Sequence, residues 1–213
     1  MKKFFVTMVF ALILTAAPAS FNLLANCPPG YTEVTLQFTY WKTGPPAEDC
    51  SMEITYCYTC NLAMGVGFDY QITKMHVSDG CTLDNEFWAQ VTNLIANDLM
   101  NRGCLSPCSW PGWQQTSSTE VRSVCWMQVH QPGWDPWEYD IVPCEGSATC
   151  RHYYKVCVTF TQNGAEITYI PDGVQFISGT GCTEVEPEDP PAGVDPKEDY
   201  WESYCFTLDP CEE

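Results

Sequence analysis

The chain has 213 residues, 14 of them cysteine, and a formal net charge of -18. So acidic a surface repels nucleic acid and anionic lipid, because holding phosphate requires Lys and Arg. The length leaves room for one domain or two small ones.

The first segment, MKKFFVTMVFALILTAAPAS, has a positive start (Lys2, Lys3), an apolar run from Phe4 to Leu14, and small residues around Ala17 to Ala19. This is the three-part pattern of a secretory signal peptide over residues 1–19, with a second candidate cut after Ala25. The run is too short to span a bilayer, and no other apolar stretch approaches the ~20 residues a spanning helix needs. The Lys-Lys start favours a bacterial signal. LLANC at 23–27 resembles a lipoprotein box, but Asn26 fits poorly before a lipidated cysteine, so Cys27 is not expected to carry a lipid. The expected product is secreted and extracellular.

All the cysteines follow the signal: Cys27, Cys50, Cys57, Cys60, Cys81, Cys104, Cys108, Cys125, Cys144, Cys150, Cys157, Cys182, Cys205 and Cys211. An even count in an exported chain reads as a disulfide framework. The spacings CYTC (57–60) and CLSPC (104–108) would suit zinc in a reducing compartment. Outside the cell such thiols oxidise, and His76, His130 and His152 stand far apart in sequence. No metal site is expected.

In chain order, alternation of apolar and polar residues predicts strands at Glu33–Lys42, Ser51–Thr59 and Gly67–Val77. A helix follows at 84–103, with Phe87, Trp88, Val91, Leu94, Ile95 and Leu99 as its apolar stripe, Asp84 as cap and Gly103 as stop. Further strands are predicted at Glu120–His130, His152–Gln162, Glu166–Ile170 and Val174–Ser178, with turns at TGPPAED, QNGAE and IPDG. The stretch 184–199 is acidic and Pro-rich, which predicts an exposed loop.

The spacing of the cysteines shows a second order. CSMEITYC (50–57) and CRHYYKVC (150–157) share their spacing and their alternation. Two cysteines seven positions apart on one strand lie about 23 Å apart and on opposite faces. A disulfide needs Cα atoms within ~7 Å, so each must staple its strand to something else. The pairs Cys27 with Cys108, Cys50 with Cys150, Cys57 with Cys157, Cys81 with Cys182, and Cys104 with Cys205 occupy corresponding places. CPPGYTEV and CSWPGWQQTSSTEV lead into corresponding strands. The fold expected is mainly β: two related disulfide-stapled antiparallel modules, 27–107 and 108–213, of β-sandwich type, the first carrying the helix. Five matched cysteines are an odd set and Cys60, Cys125, Cys144 and Cys211 stay unmatched, which leaves room for a bridge between modules; the connectivity itself cannot be read from the sequence.

No Gly-x-Ser-x-Gly turn, phosphate-cradling glycine loop or His-Glu-x-x-His pattern occurs. Glu138 and Asp140 could be drawn as paired carboxylates, but an acidic protein offers many such pairs. Glu188, Asp189, Asp195 and Asp199 could supply oxygen ligands to calcium, though without an EF-hand pattern. The Trp-rich stretches CSWPGW (108–113) and HQPGWDPWEYD (130–140) carry more information. Trp110, Trp113, Trp134, Trp137 and Tyr139 are the candidate binding residues, since such rings serve both core packing and ligand stacking. The reading is therefore a non-catalytic binding or structural protein of the cell surface or extracellular matrix, with adhesion as its work. Its partner would be a glycan or a surface protein. A carbohydrate-binding module and a small hydrolase or hydrolase inhibitor are the alternatives.

Overall fold

Apolar residues alternate with polar ones along the first three strands, the period of two that a sheet member requires. A computed structural model of the protein describes residues 27–42, 48–61, 66–78, 83, 85–105, 107–108, 116–162, 164–184, 187, 192–195, 197–208 and 211. The elements are β1 (Thr32–Lys42), β2 (Glu48–Asn61), β3 (Val66–Val77), α1 (Asn85–Asn101), β4 (Thr116–Ser123), β5 (Cys125–His130) and β6 (Tyr139–Pro143). There follow β7 (Thr149–Thr161), β8 (Gly164–Ile177), β9 (Trp201–Glu202) and β10 (Phe206–Thr207).

The strands hydrogen-bond into one ten-stranded sheet, where a sandwich calls for two. β1, β2 and β3 run antiparallel in succession. The second edge of β3 is divided. Its first part pairs in parallel with β4, and its last residues, Met75 to Val77, pair antiparallel with Ile141 to Tyr139 of β6. From β4 the sheet continues through β7 to β8, and from β6 through β5 to β9 and β10. One strand of the first half therefore carries both wings of the second.

Helix α1 presents Phe87, Val91, Ile95 and Leu99, all fully buried, at i,i+4 spacing. Phe87 meets Tyr40 of β1 edge-on, and Asp98 accepts the Tyr56 hydroxyl of β2. On the other side Trp88 packs against Trp126 of β5, and Tyr169 of β8 donates to the Thr92 carbonyl. The helix stops at Gly103 (φ 77°), where the Cys104 amide bonds the Leu99 carbonyl and the Gly103 amide bonds that of Met100. This is a left-handed glycine stop of the Schellman kind. Asp84, the expected cap, lies outside the described residues.

Beneath α1 sits a buried ion pair. Glu120 of β4 is fully buried and accepts from Arg122 Nε at 2.6 Å and Nη2 at 2.8 Å. Arg122 also donates to Thr92 Oγ1 at 3.0 Å and lies 4.8 Å from the Trp88 ring centre. The Tyr154 hydroxyl donates to the second Glu120 oxygen at 3.2 Å.

Two sequence expectations change. The strand expected over Glu120–His130 is broken at Val124, whose amide bonds the Ala148 carbonyl. Before the break the chain pairs with β7, and after it with β6, so a single strand would have had to serve two partners. Conversely, the two short strands separated by IPDG are one, β8. The ladder places Tyr154 opposite Pro171 and Tyr153 opposite Gly173, leaving Asp172 as the extra residue of a bulge. Gly173 takes φ 118°, and Asp172 bonds Lys155 at 2.9 Å. Proline is tolerated because β8 ends the sheet order and needs no donor on its outer side.

Disulfides join Cys27–Cys57, Cys60–Cys104, Cys108–Cys157, Cys125–Cys182, Cys144–Cys205 and Cys150–Cys211. Cys50 is also disulfide-bonded, and none of the described cysteines is free. Each of these six bridges closes inside 27–107 or inside 108–213. None of the described bridges joins the two halves; continuous β pairing does.

Candidate functional site

Between β5 and β6 the chain makes two consecutive tight turns. In the first the Trp134 amide bonds the Gln131 carbonyl at 3.2 Å across Pro132-Gly133, with Gly133 at φ 92°. Proline at the second position and a positive-φ glycine at the third make this a type II turn. In the second the Glu138 amide bonds the Asp135 carbonyl at 2.9 Å across Pro136-Trp137, and the Glu138 carboxylate accepts the Asp135 amide at 3.1 Å. Gly133 also bonds the Lys197 carbonyl at 3.2 Å, tying the loop to the C-terminal segment.

The loop is clasped at its base by His76 of β3. The ladder sets His76 opposite Glu53 of β2 on one side and opposite Asp140 of β6 on the other. Its Nδ1 lies 2.8 Å from Asp140 Oδ1, and its Nε2 lies 3.1 Å from Glu138 Oε1. Both ring nitrogens thus meet carboxylates. The Asp140 hydrogen bond raises the His76 pKa above its ordinary value; partial burial opposes this, and the charges of Asp140, Glu138 and Glu53 reinforce it. Lys74 reaches the other Asp140 oxygen at 3.6 Å.

A second imidazole supports the loop from inside. His130 is fully buried and its Nδ1 lies 2.6 Å from the Glu138 carbonyl. A carbonyl only accepts, so Nδ1 carries the hydrogen. The ring stacks on Trp201, with centres 5.5 Å apart and planes 4° from parallel. Trp134 stands edge-on to both imidazoles, 5.0 Å from His76 and 5.9 Å from His130. Half-buried Trp134 is therefore an anchor, while Trp137 at the loop tip is 52 % exposed.

Of the other candidate binding residues, Tyr139 is 5 % exposed and belongs to the core, opposite Val77 in the ladder. It supports the loop from below and offers no contact surface. β6 is buried from Tyr139 to Val142, flanked by β3 on one edge and β5 on the other. Trp110 and Trp113 lie outside the described residues. Glu138 and Asp140 come together, but on His76. The three-group cluster with metal-ligand spacing among the described residues is Cys27, Glu33 and Cys57, and its two sulfurs are spent in a disulfide. Of the calcium candidates, Glu188 and Asp189 lie outside the described residues. Asp195 accepts the Lys197 amide, and Asp199 accepts the Asp195 amide, so both close a turn.

Sequence reasoning passed over His76 and His130. Each stood alone in the chain, and only the β3–β6 register, pairing residues 64 positions apart, makes His76 part of this loop. No family model, curated protein or solved structure matches the chain.

Proposed function

We propose that this chain is an exported, non-catalytic binding module that attaches to carbohydrate at a cell surface or in an extracellular matrix through the 131–138 loop. The observation that carries this reading is Trp137, which is 52 % exposed at the tip of a loop whose other tryptophan is pinned between two imidazoles. A rigidly mounted, exposed indole offers a flat apolar face and a polar edge, the pairing that sugar rings use. The signal-like start supports export, and the Cys27–Cys57 bridge, which occupies the Cys27 sulfur, speaks against a lipid there.

The hydrolase alternative finds less support. Both His76 nitrogens are engaged by carboxylates, which leaves neither poised over a nucleophile. The internal duplication remains part of the proposal. Cys27–Cys57 and Cys108–Cys157 join corresponding cysteines in the two halves, and in each half the second of them lies on the long strand paired antiparallel with the Thr-Glu-Val strand. The other described bridges differ between halves, consistent with divergence after copying.

The test is Trp137→Ala on a glycan array, with a melting curve alongside. Exposed substitutions away from structural features shift stability by only ~0.5 kcal/mol. The expected outcome is a nearly unchanged melting temperature with loss of glycan retention. Retention equal to that of the parent protein would remove the loop from the site.

A further inference from the structure

The segment around β9 carries a second aromatic surface. From Tyr200 to Tyr204 exposure alternates: Tyr200 (50 %) and Tyr204 (53 %) flank exposed Glu202, while Trp201 and Ser203 are buried. The buried pair anchors the strip. Trp201 stacks on His130, the Ser203 amide bonds the Gln128 carbonyl at 2.9 Å, and Ser203 Oγ accepts the Gln128 amide at 2.9 Å. On the outer side the Tyr200 hydroxyl donates to Glu202. Beside Tyr204 opens a groove of about 580 Å³ lined by Gly181, Cys182, Thr183, Tyr204 and Cys205.

Both walls of that groove are tied down covalently. Cys182 is bridged to Cys125 and Cys205 to Cys144. The walls are also joined to each other, since the Thr183 amide bonds the Cys205 carbonyl and the Thr207 amide bonds the Thr183 carbonyl. A groove so constrained does not pay to order itself when a ligand arrives.

We propose that the groove and the Tyr200–Tyr204 strip form a binding site for an uncharged polysaccharide, with the Tyr204 ring as the stacking wall. Three features select that ligand class. Two half-exposed rings flank the two-residue β9 on one exposed side, four positions apart, which suits a chain of rings better than one small molecule. The nearest acidic groups in sequence, Glu184 and Glu202, accept hydroxyls and repel anionic polymers. The groove is open and shallow, whereas a protein hot spot asks for a pocket that closes off water. The site shares its ligand class with the reading of the Trp137 loop but none of its residues.

Gly181 supplies a clean test. A Cβ built there meets nothing within 4 Å, so a larger side chain would enter the groove without disturbing the backbone. The intact protein would be titrated with uncharged β-glucan, xylan and chitin oligosaccharides of increasing length, followed by NMR at the Gly181 and Thr183 amides and the Tyr200 and Tyr204 rings. The expected result is saturable shifts at these positions, tighter with longer chains. Tyr204→Ala and Gly181→Gln should each weaken association roughly tenfold with melting temperature unchanged. Trp137→Ala should leave the shifts intact, so this site and the loop can fail separately. The proposal is overturned if none of the three series moves these signals, if both groove variants bind as the parent does, or if only a charged polymer or a protein perturbs the strip.

Discussion

His76 holds the Trp loop through a proton, and the direction of its shift sets when that hold is strongest. Its pKa is raised above 6.5, first by the Asp140 hydrogen bond. A histidine raised in the folded state contributes stability that is fully present below its unfolded value and is lost as pH rises through the folded value. Amide exchange in residues 131–138 should therefore quicken as pH climbs above 6.5, after correction for the intrinsic rate. In His76→Gln that excess pH dependence should vanish. If it persists, the dependence belongs to some other group near the loop. A different residue-scale prediction concerns the buried pair under α1. Glu120→Ala strands Arg122 in a site where the glutamate was fully buried, and breaking such a pair by removing one partner costs about 3–5 kcal/mol. Glu120→Leu combined with Arg122→Met should cost less than Glu120→Ala alone, as urea unfolding would show. A double variant weaker than the single one would mean that the pair itself stabilises the fold.

Local pattern made some elements legible and hid others. β1, β2, β3 and α1 could be read directly, because each has a clear period. β6, β9 and β10 escaped notice. The last two have two residues each, and Tyr139–Pro143 is five residues directly after a Pro-Trp turn, too few for a period to stand out. The break at Val124 and the continuity of β8 through Pro171 depend on which strand lies alongside, and no window of sequence contains that information. The candidate site divides in the same way. The Trp loop announced itself by composition, while the histidines beneath it and the Tyr200–Tyr204 strip depend on long-range register. One glycine shows how such register is enforced. A Cβ at Gly179 would stand 2.4 Å from the Ala148 amide nitrogen and 2.5 Å from the Ser147 carbonyl carbon, both backbone atoms. Gly179→Ala should therefore force the chain after β8 away from the 147–148 turn and destabilise by about 1–3 kcal/mol or more. Gly181→Ala, two positions on, should be near neutral. Equal melting temperatures for the two variants would show that the turn yields easily.

Across the whole molecule, the two sequence halves are stapled separately but packed jointly. Each described disulfide closes within its own half, yet β3 of the first half pairs with β4 and β6 of the second. The helix of the first half also buries Trp88 against Trp126 and takes a hydrogen bond from Tyr169, both from the second. Removing residues 108–213 would expose one edge of β3 and uncover Trp88 of α1. An unpaired edge strand beside bare apolar surface is a template for aggregation. The disulfides would not prevent this, since they constrain the unfolded chain and leave the lost contacts unreplaced. The oxidised full chain should accordingly melt in one calorimetric transition whose van't Hoff and calorimetric enthalpies agree, as for a single cooperative unit. Residues 27–107 expressed alone, even fully oxidised, should aggregate or show no cooperative melt. Two resolved transitions in the full chain, or a soluble first half with its own sharp transition, would make the halves independent domains and reduce the shared sheet to a docking contact.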